Sequence, residues 1–370
     1  MARFLSKRRF VYSLACLGTF SLLLSGYALL YRTRPASEGE EAGHPFSLLV
    51  EREVRGTPSR LLHQLRDKIG RLPNSNLIVS SRANTTTAIS QPSRSTPDNL
   101  QVGLPETLKE RFPHFMIVGF GKSGTRALYN ALRLHPQLAG PQKEERFFSL
   151  KYGKGLSKYL SSFPPRPRGG YLIEKSPDYI LRPKVPARIT AAAELAGRKP
   201  EDLKFIVITR NPIDRAMSEY LEWNIQRRKF NSPKLPPFDE MVLKDGVLHT
   251  EQPFINASCY EYHIASWLKT FSQNQMCYVN GDAYVEHPFQ QVHMLELCMG
   301  LEPFFSEENF VFDKKKGFYC FKSGSDTQCM GGAKGRPHPQ ISDDVSTHLV
   351  EYFHQCNSHL AQHTGFEIGY

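Results

Sequence analysis

The chain has 370 residues, 40% of them hydrophobic, and carries 47 Lys and Arg against 36 Asp and Glu, for a net charge of +11. That length suits one catalytic domain with added segments, and the positive balance points to an acidic partner. No internal repeat and no Cys/His metal spacing is present, which excludes a repeat architecture and a structural zinc module.

The first segment with a physical signature is residues 10–31, an uncharged and mostly apolar run of 22 residues. It is long enough to cross a hydrocarbon core of roughly 30 Å. Arg3, Lys7, Arg8 and Arg9 precede it and favour a cytoplasmic N-terminus over residues 1–9. A cleaved signal peptide has a shorter apolar core and a small-x-small site, so the expectation is a single-pass type II anchor with the rest of the chain in the secretory lumen. A lumenal domain does not meet nucleic acid. An anionic polysaccharide or a nucleotide-like donor is then the expected acidic partner.

Residues 32–113 read as a stem. Residues 59–72 have Leu61, Leu62, Leu65 and Ile69 on one side of a possible short helix. Residues 73–97 are rich in Ser, Thr, Asn and Pro, have little to bury, and read as disordered. Asn84-Thr85-Thr86 and Asn256-Ala257-Ser258 are glycosylation acceptors in a lumenal chain. Cys320 and Cys329 flank a short polar, glycine-containing segment and make the best disulfide pair. The pairing of Cys259, Cys277, Cys298 and Cys356 is not readable.

From residue 115 strands alternate with helices. Strands are expected at 115–118, 171–173, 203–209 and 276–280. Helices are expected at 125–135, 186–195, 212–223, 259–271, 290–299 and 345–363. Such alternation implies a central, mostly parallel sheet flanked by helices, an α/β domain over 114–370 whose ligands sit at the carboxyl ends of strands.

Five stretches carry possible chemistry. The first, FMIVGFGKSGTRALYNALRLH at 115–135, reads as strand, glycine turn and helix, a device that aims backbone amides and a helix end at phosphate or sulfate. Lys122 adds a cation. The Walker pattern is incomplete, because Met116 stands where its first glycine belongs. The second, RNPIDRAMSEY at 210–220, puts Arg210 at a strand end and Ser218 nearly two turns into a helix, where together they can hold a terminal phosphate. The third, 314–339, joins Tyr319, the Cys320/Cys329 loop and a basic turn carrying Lys334 and Arg336. The fourth, KEERFF at 143–148, offers Glu144 or Glu145 as a general base, or else a solvated charged turn. The fifth, EKSP at 174–177, follows a strand; its Glu174–Lys175 pair faces the same cleft or forms a surface salt bridge.

Together these stretches resemble the sulfotransferase domain of the heparan sulfate glucosamine sulfotransferases, with the 3-O-sulfotransferases nearest and the N-deacetylase/N-sulfotransferases second. The resemblance runs from about residue 115 to the C-terminus. It rests on GKSGTRAL, EKSP, the ITRNPIDRAMSEY stretch, the 258–271 segment and the 313–339 block. It implies a P-loop-like sulfotransferase fold, with 3′-phosphoadenosine-5′-phosphosulfate as donor and no metal. By the resemblance, Lys122, Ser123, Gly124, Thr125 and Arg126 cradle the phosphosulfate. Arg210 and Ser218 hold the 3′-phosphate. Tyr319 and the turn of Lys334, Gly335, Arg336, Pro337 and His338 close over the nucleotide. Glu144 is the base, and Lys175 and Arg336 lie near the transferring sulfate and the acceptor, a heparan sulfate or related polysaccharide. The implied location is the Golgi membrane. Gly121, Arg146 and Ser149 depart from the arginine, histidine and aspartate typical there, which leaves the sulfated position open. Two rivals remain: a nucleotide kinase using Lys122, and a glycosaminoglycan-binding protein without activity.

Overall fold

A computed structural model describes residues 103–323, 326–329 and 338–368, all within the unit Ser90–Tyr370. The expected tail, anchor and Asn84, most of the stem, and Lys334, Gly335, Arg336 and Pro337 lie outside the described residues. Among the described residues, no helix is long and apolar enough to cross a membrane.

After a short helix α1 (Glu106–Lys109), the chain forms β1 (Phe115–Gly119), α2 (Thr125–Leu132), β2 (Leu138–Ala139), α3 (Leu156–Ser161), β3 (Tyr171–Lys175), α4 (Val185–Leu195), β4 (Lys204–Thr209) and α5 (Pro212–Lys229). Then come α6 (Phe238–Val242), the hairpin β5 (Leu243–Lys244) and β6 (Val247–Leu248), α7 (Pro253–Asn256), α8 (Tyr260–Leu268), β7 (Met276–Asn280), α9 (Gly281–Glu286) and α10 (Pro288–Met299). Three further strands, β8 (Phe310–Asp313), β9 (Phe318–Ser323) and β10 (Asp326–Gln328), precede the last helix, α11 (Asp343–Thr364). The main sheet is five-stranded and parallel, in the order β2-β3-β1-β4-β7. The chain leaves β1 toward one edge and returns to build the other from β4. The crevice between β1 and β4 is therefore the switch point where open α/β sheets bind ligands.

The side-chain period of two explains the layers. Met116, Val118, Phe205 and Val207 face one core, shared with Tyr260 and Trp267 of α8. Phe115, Ile117, Ile206 and Ile208 face the other, shared with Leu128 of α2 and Val292 of α10. A third cluster packs α5, α7 and α11, and the Cys259–Cys356 disulfide crosses it. Cys277–Cys298 ties β7 to α10, and Cys320–Cys329 joins β9 to the residue after β10.

The elements differ from the sequence expectation in several places, three of them instructive. Helix α5 runs six residues past 223, to Lys229. Its last turn is Arg227, Arg228 and Lys229, which suits a helix carboxyl end but carries no apolar period. The helix expected at 290–299 is preceded by α9, with Pro288 at the start of α10. The antiparallel β8–β9–β10 sheet was not expected at all. Packing also begins before residue 114: Phe112 is fully buried, and Leu104 and Leu108 lie against the first core.

Candidate active site

The glycine turn leaves β1 and enters α2. Phe120 N donates to Ile208 O at 2.9 Å, and Ser123 N donates to Phe120 O at 3.2 Å. Gly124 has φ of +99°, a conformation open to glycine, and starts α2 without a side-chain cap. The first amides of α2 are thus not satisfied by a capping side chain. Ser123 Oγ is buried beside the Tyr260 hydroxyl without a well-formed hydrogen bond, and that hydroxyl donates to the Arg210 carbonyl oxygen at 2.9 Å. Thr209 Oγ1 is also buried without a partner. Gly281 packs so close that a Cβ there would run into the carbonyl oxygens of Thr209 and Ser123. This set of donors without acceptors fits phosphate or sulfate oxygens.

Three side chains grip the turn from β4 and α5. Arg215 Nε donates to Gly121 O at 3.0 Å, and Arg210 Nη1 to Lys122 O at 3.4 Å. Lys122 Nζ donates to Glu222 Oε2 at 3.3 Å. Lys122 itself has φ of +73°, a strained setting for a side-chain-bearing residue, and such strain persists only where neighbours over-determine it. Arg215 is 1% exposed and is satisfied further by Phe254 O at 3.1 Å, Ser258 Oγ at 2.9 Å and the Glu219 carboxylate. These partners offset its desolvation: each of its three nitrogens donates to at least one oxygen. Arg215, Ser218 and Glu222 recur on one stripe of α5 by the spacing of three and four.

Lys122 and Arg210 therefore share one crevice. They sit at the carboxyl ends of adjacent strands, paired Ile117↔Ile206. Asp214 Oδ2 lies 3.4 Å from Arg210 Nη2, and Asp282 Oδ1 lies 3.8 Å from Nε. Burial pushes the Asp282 carboxyl above its usual range, against the pull of the Asn211 amide and Arg210. His338 Nδ1 is 3.0 Å from Asp214 Oδ1, which puts His338 next to the Arg210 end. Ser218 is half-buried on the same helix. Tyr319 is half-buried in β9, its ring 5.2 Å from that of Phe312.

Beside the turn, Lys175 Nζ donates to the Glu144 carboxylate. Lys175 is 6% exposed, and burial lowers its pKa while Glu144 opposes the shift; the nearby Arg126 lowers it further. Glu144 sits on a turn that is neither a buried strand nor a solvated loop. Phe147 and Phe148 anchor the turn in the core, with the Phe147 and Tyr159 rings stacked at 4.5 Å. Arg146 N donates to Ser176 Oγ at 2.9 Å, and Ser176 N to Ile117 O at 3.0 Å, so the turn is pinned to the end of β3 and through it to β1. Arg146 Nη2 pairs with Asp178 Oδ2 at 3.1 Å, and Ser149 Oγ donates to Arg146 O at 3.2 Å.

Glu174 corrects the expectation that it joins Lys175 in a cleft or a surface pair. Alternation along β3 turns it to the opposite face, where it is 0% exposed. The Tyr159 and Tyr179 hydroxyls lie alongside without closing a well-formed hydrogen bond to it. Burial pushes its pKa up to about 8, so it is neutral at pH 7.

Basic side chains that could meet an anionic polysaccharide divide between the two ends of the sheet. Arg182 and Lys184 are exposed just after β3, at the end of the sheet that bears the site. Arg166 and Arg168 precede β3; burial, then Arg198 and Arg166, lower the His114 pKa to about 3, so both Arg166 and Arg168 belong to the opposite end. Arg188 donates to Phe148 O at 2.6 Å and covers the Tyr152 ring at 4.6 Å, a supporting role for the Glu144 turn. At the second glycosylation acceptor, Asn256 is exposed, while Ser258 is buried under Arg215. Sequence reasoning missed Arg215, Glu222, Asp178 and Asp282. Only Arg215 and Glu222 left a signal, their helical spacing with Ser218.

The Sulfotransferase domain family model matches residues 112–360. Heparan sulfate glucosamine 3-O-sulfotransferase 6 of Homo sapiens is 33% identical over 76% of this chain and 81% of its own length. Heparan sulfate glucosamine 3-O-sulfotransferase 3A1 of Homo sapiens is 33% identical over 74% of this chain, and the match spans 66% of that relative's length, just under two thirds. Among solved structures, a sulfotransferase from Alicyclobacillus acidocaldarius shares the fold, with a TM-score of 0.51 at 20% identity, covering 70% of this chain and 97% of that one. With the glycine turn, the arginine clasp and the glutamate–lysine pair converging at one sheet end, these matches place the chain in the sulfotransferase family, among the heparan sulfate glucosamine 3-O-sulfotransferases.

Proposed function

We propose that the chain moves a sulfuryl group from 3′-phosphoadenosine-5′-phosphosulfate to a glucosamine 3-hydroxyl of heparan sulfate or a related anionic polysaccharide. The observation that carries this reading is the joining of Lys122 and Arg210 in one crevice, 3.4 Å from guanidinium to turn carbonyl, with Glu144 and Lys175 beside it. One adenosine bisphosphate-type donor can then be held at both ends. Lys122, Ser123, Gly124, Thr125 and Arg126 take the 5′ end. Arg210 and Ser218 take the 3′-phosphate. Tyr319, Lys334, Gly335, Arg336, Pro337 and His338 are assigned to the nucleotide's closing side.

In the reaction, Glu144 accepts the proton of the acceptor hydroxyl as its oxygen bonds to sulfur and the bond from sulfur to the bridging phosphate oxygen breaks. General-base help of this kind contributes about 10²–10⁴-fold. Lys175 orients the Glu144 carboxylate, and Arg336 is assigned to the acceptor. Lys122 and the α2 amides stabilise charge on the leaving phosphate without reorganising. Activity is expected without added metal and in the presence of a chelator. The chain is proposed to act in the Golgi lumen, anchored by residues 10–31 as a single-pass type II protein.

The test is incubation of the full chain with radiolabelled donor and a panel of polysaccharides, followed by disaccharide analysis. Label on the glucosamine 3-hydroxyl supports the reading; label on nitrogen or another hydroxyl moves the acceptor assignment. A second reading, polysaccharide binding without transfer, draws on Arg146 being engaged by Asp178 and on the departures at Gly121 and Ser149. It predicts binding with no label transferred.

A further inference from the structure

One contact at the donor end, between Lys122 and Glu222, plays no part in the transfer step. Lys122, the cation at the 5′ end of the donor site, is held by Glu222 at 3.3 Å. The two side chains come from different elements, 100 residues apart, and are comparably half-exposed at 27% and 29%. Glu222 is itself fixed, since Gln226 Nε2 donates to its other oxygen at 2.8 Å one turn along α5. The same helix holds the Gly121 carbonyl through Arg215, so Glu222 reaches Lys122 from a rigid base rather than from a loop.

A donor carrying an anionic 5′ group competes with this carboxylate for the same ammonium. Two anions at one half-exposed cation repel each other, and the interaction is only partly screened by water and salt. We propose that Glu222 is a placeholder for the donor's 5′ anion: it holds Lys122 until the donor binds and is then displaced from Nζ. This rests on the donor assignment above. It goes beyond that assignment in giving a residue outside the expected binding set control over donor affinity. The cost of displacement falls on the 5′ end alone, because Arg210 meets its own carboxylates, Asp214 and Asp282, on the other side of the crevice.

The experiment is calorimetric titration of the full-length chain and of its E222Q and E222A variants with two nucleotides. Adenosine 3′,5′-bisphosphate carries a 5′-phosphate that stands in for the phosphosulfate. Adenosine 3′-monophosphate lacks any 5′ anion. Both variants should bind the bisphosphate about fivefold more tightly than wild type at low salt. The gain should shrink at high salt, and 3′-monophosphate affinity should not change. A brace with a structural role alone gives the opposite sign, weaker binding of the bisphosphate. Unchanged or weaker bisphosphate binding, or an equal gain for both nucleotides, overturns the placeholder. If wild-type protein binds neither nucleotide, the donor assignment itself falls, an outcome distinct from a failure of Glu222.

Discussion

The two halves of the site are held by different means. On the donor side, Lys122 and Arg210 follow the ends of neighbouring strands, and the hydrogen-bonded register of β1 and β4 sets their separation. On the proposed acceptor side, Glu144 and Arg146 ride a turn whose position depends on side chains: Phe147 and Phe148 in the core, the Ser176 hydroxyl under Arg146 N, and the ion pairs to Lys175 and Asp178. Backbone pairing is hard to alter by point substitution, whereas side-chain pairing changes one residue at a time. On the proposed assignment, a fixed donor clasp stands beside an adjustable acceptor rim. Gly121 lies in the fixed turn, its carbonyl held by Arg215, but a Cβ there meets nothing within 4 Å, so its side-chain position is open to change.

The sharpest way to separate the two halves is Glu144→Gln. Turnover should fall by about 10²–10⁴-fold while donor affinity stays within twofold or so, measured by label transfer and by nucleotide titration. Loss of donor affinity in that variant would join the halves the structure separates.

The next largest effect tests the scaffold both halves share. The Cys259–Cys356 disulfide spans 97 residues of sequence and ties α8, which backs the Arg210 backbone through Tyr260, to α11. Replacing both cysteines by serine should cost about 4 kcal/mol in urea unfolding, by loop-closure entropy. Donor affinity under native conditions should remain.

A third prediction uses Glu174, which lies behind the acceptor rim. Its carboxyl keeps a proton up to about pH 8 in the folded state but loses it near 4.5 when unfolded. Between those values the native state binds the extra proton, so stability is full below the lower value and falls as pH rises through the window. Glu174→Gln has no such proton to lose. Its stability relative to wild type should therefore rise by on the order of 4 kcal/mol between pH 5 and pH 8, read by denaturant unfolding. A constant difference across that range would mean Glu174 is ionised and partnered.

The smallest effect expected is at the rim. Arg146→Ala removes a half-exposed ion pair, so stability should change by less than about 1 kcal/mol. The acceptor KM should change by several-fold while the donor KM does not. A donor effect equal to the acceptor effect would contradict the division.

How much of this was legible in the sequence follows the same division. The buried strands at 115–118 and 203–209 and the glycine turn announce themselves by composition, because a strand covered on both faces is a continuous apolar run. Their adjacency in the sheet was not legible, because β3 comes between them in sequence and lies on the far side of β1. The cluster of Glu144, Arg146, Ser176 and Asp178 has no such local signature: its members lie about 30 residues apart and meet only after β3 pairs with β1. Glu174 and Lys175 look alike in sequence, and only the pleat sends one to the core and the other to the site. The β8–β10 sheet was missed because exposed Val311 and Phe312 and the run Lys314, Lys315 and Lys316 give no clean alternation. The end of α5 was missed because its last turn is polar on every side.

The central claim is that one donor bridges the Lys122 turn and the Arg210 clasp. It is tested most directly by titrating the full chain with adenosine 3′,5′-bisphosphate, adenosine 3′-monophosphate and adenosine 5′-monophosphate, before and after Arg210→Ala. The account predicts that the bisphosphate binds more than about tenfold tighter than either monophosphate, and that Arg210→Ala removes the advantage over the 5′-monophosphate alone. Equal affinity for the bisphosphate and the 5′-monophosphate in wild type would contradict it.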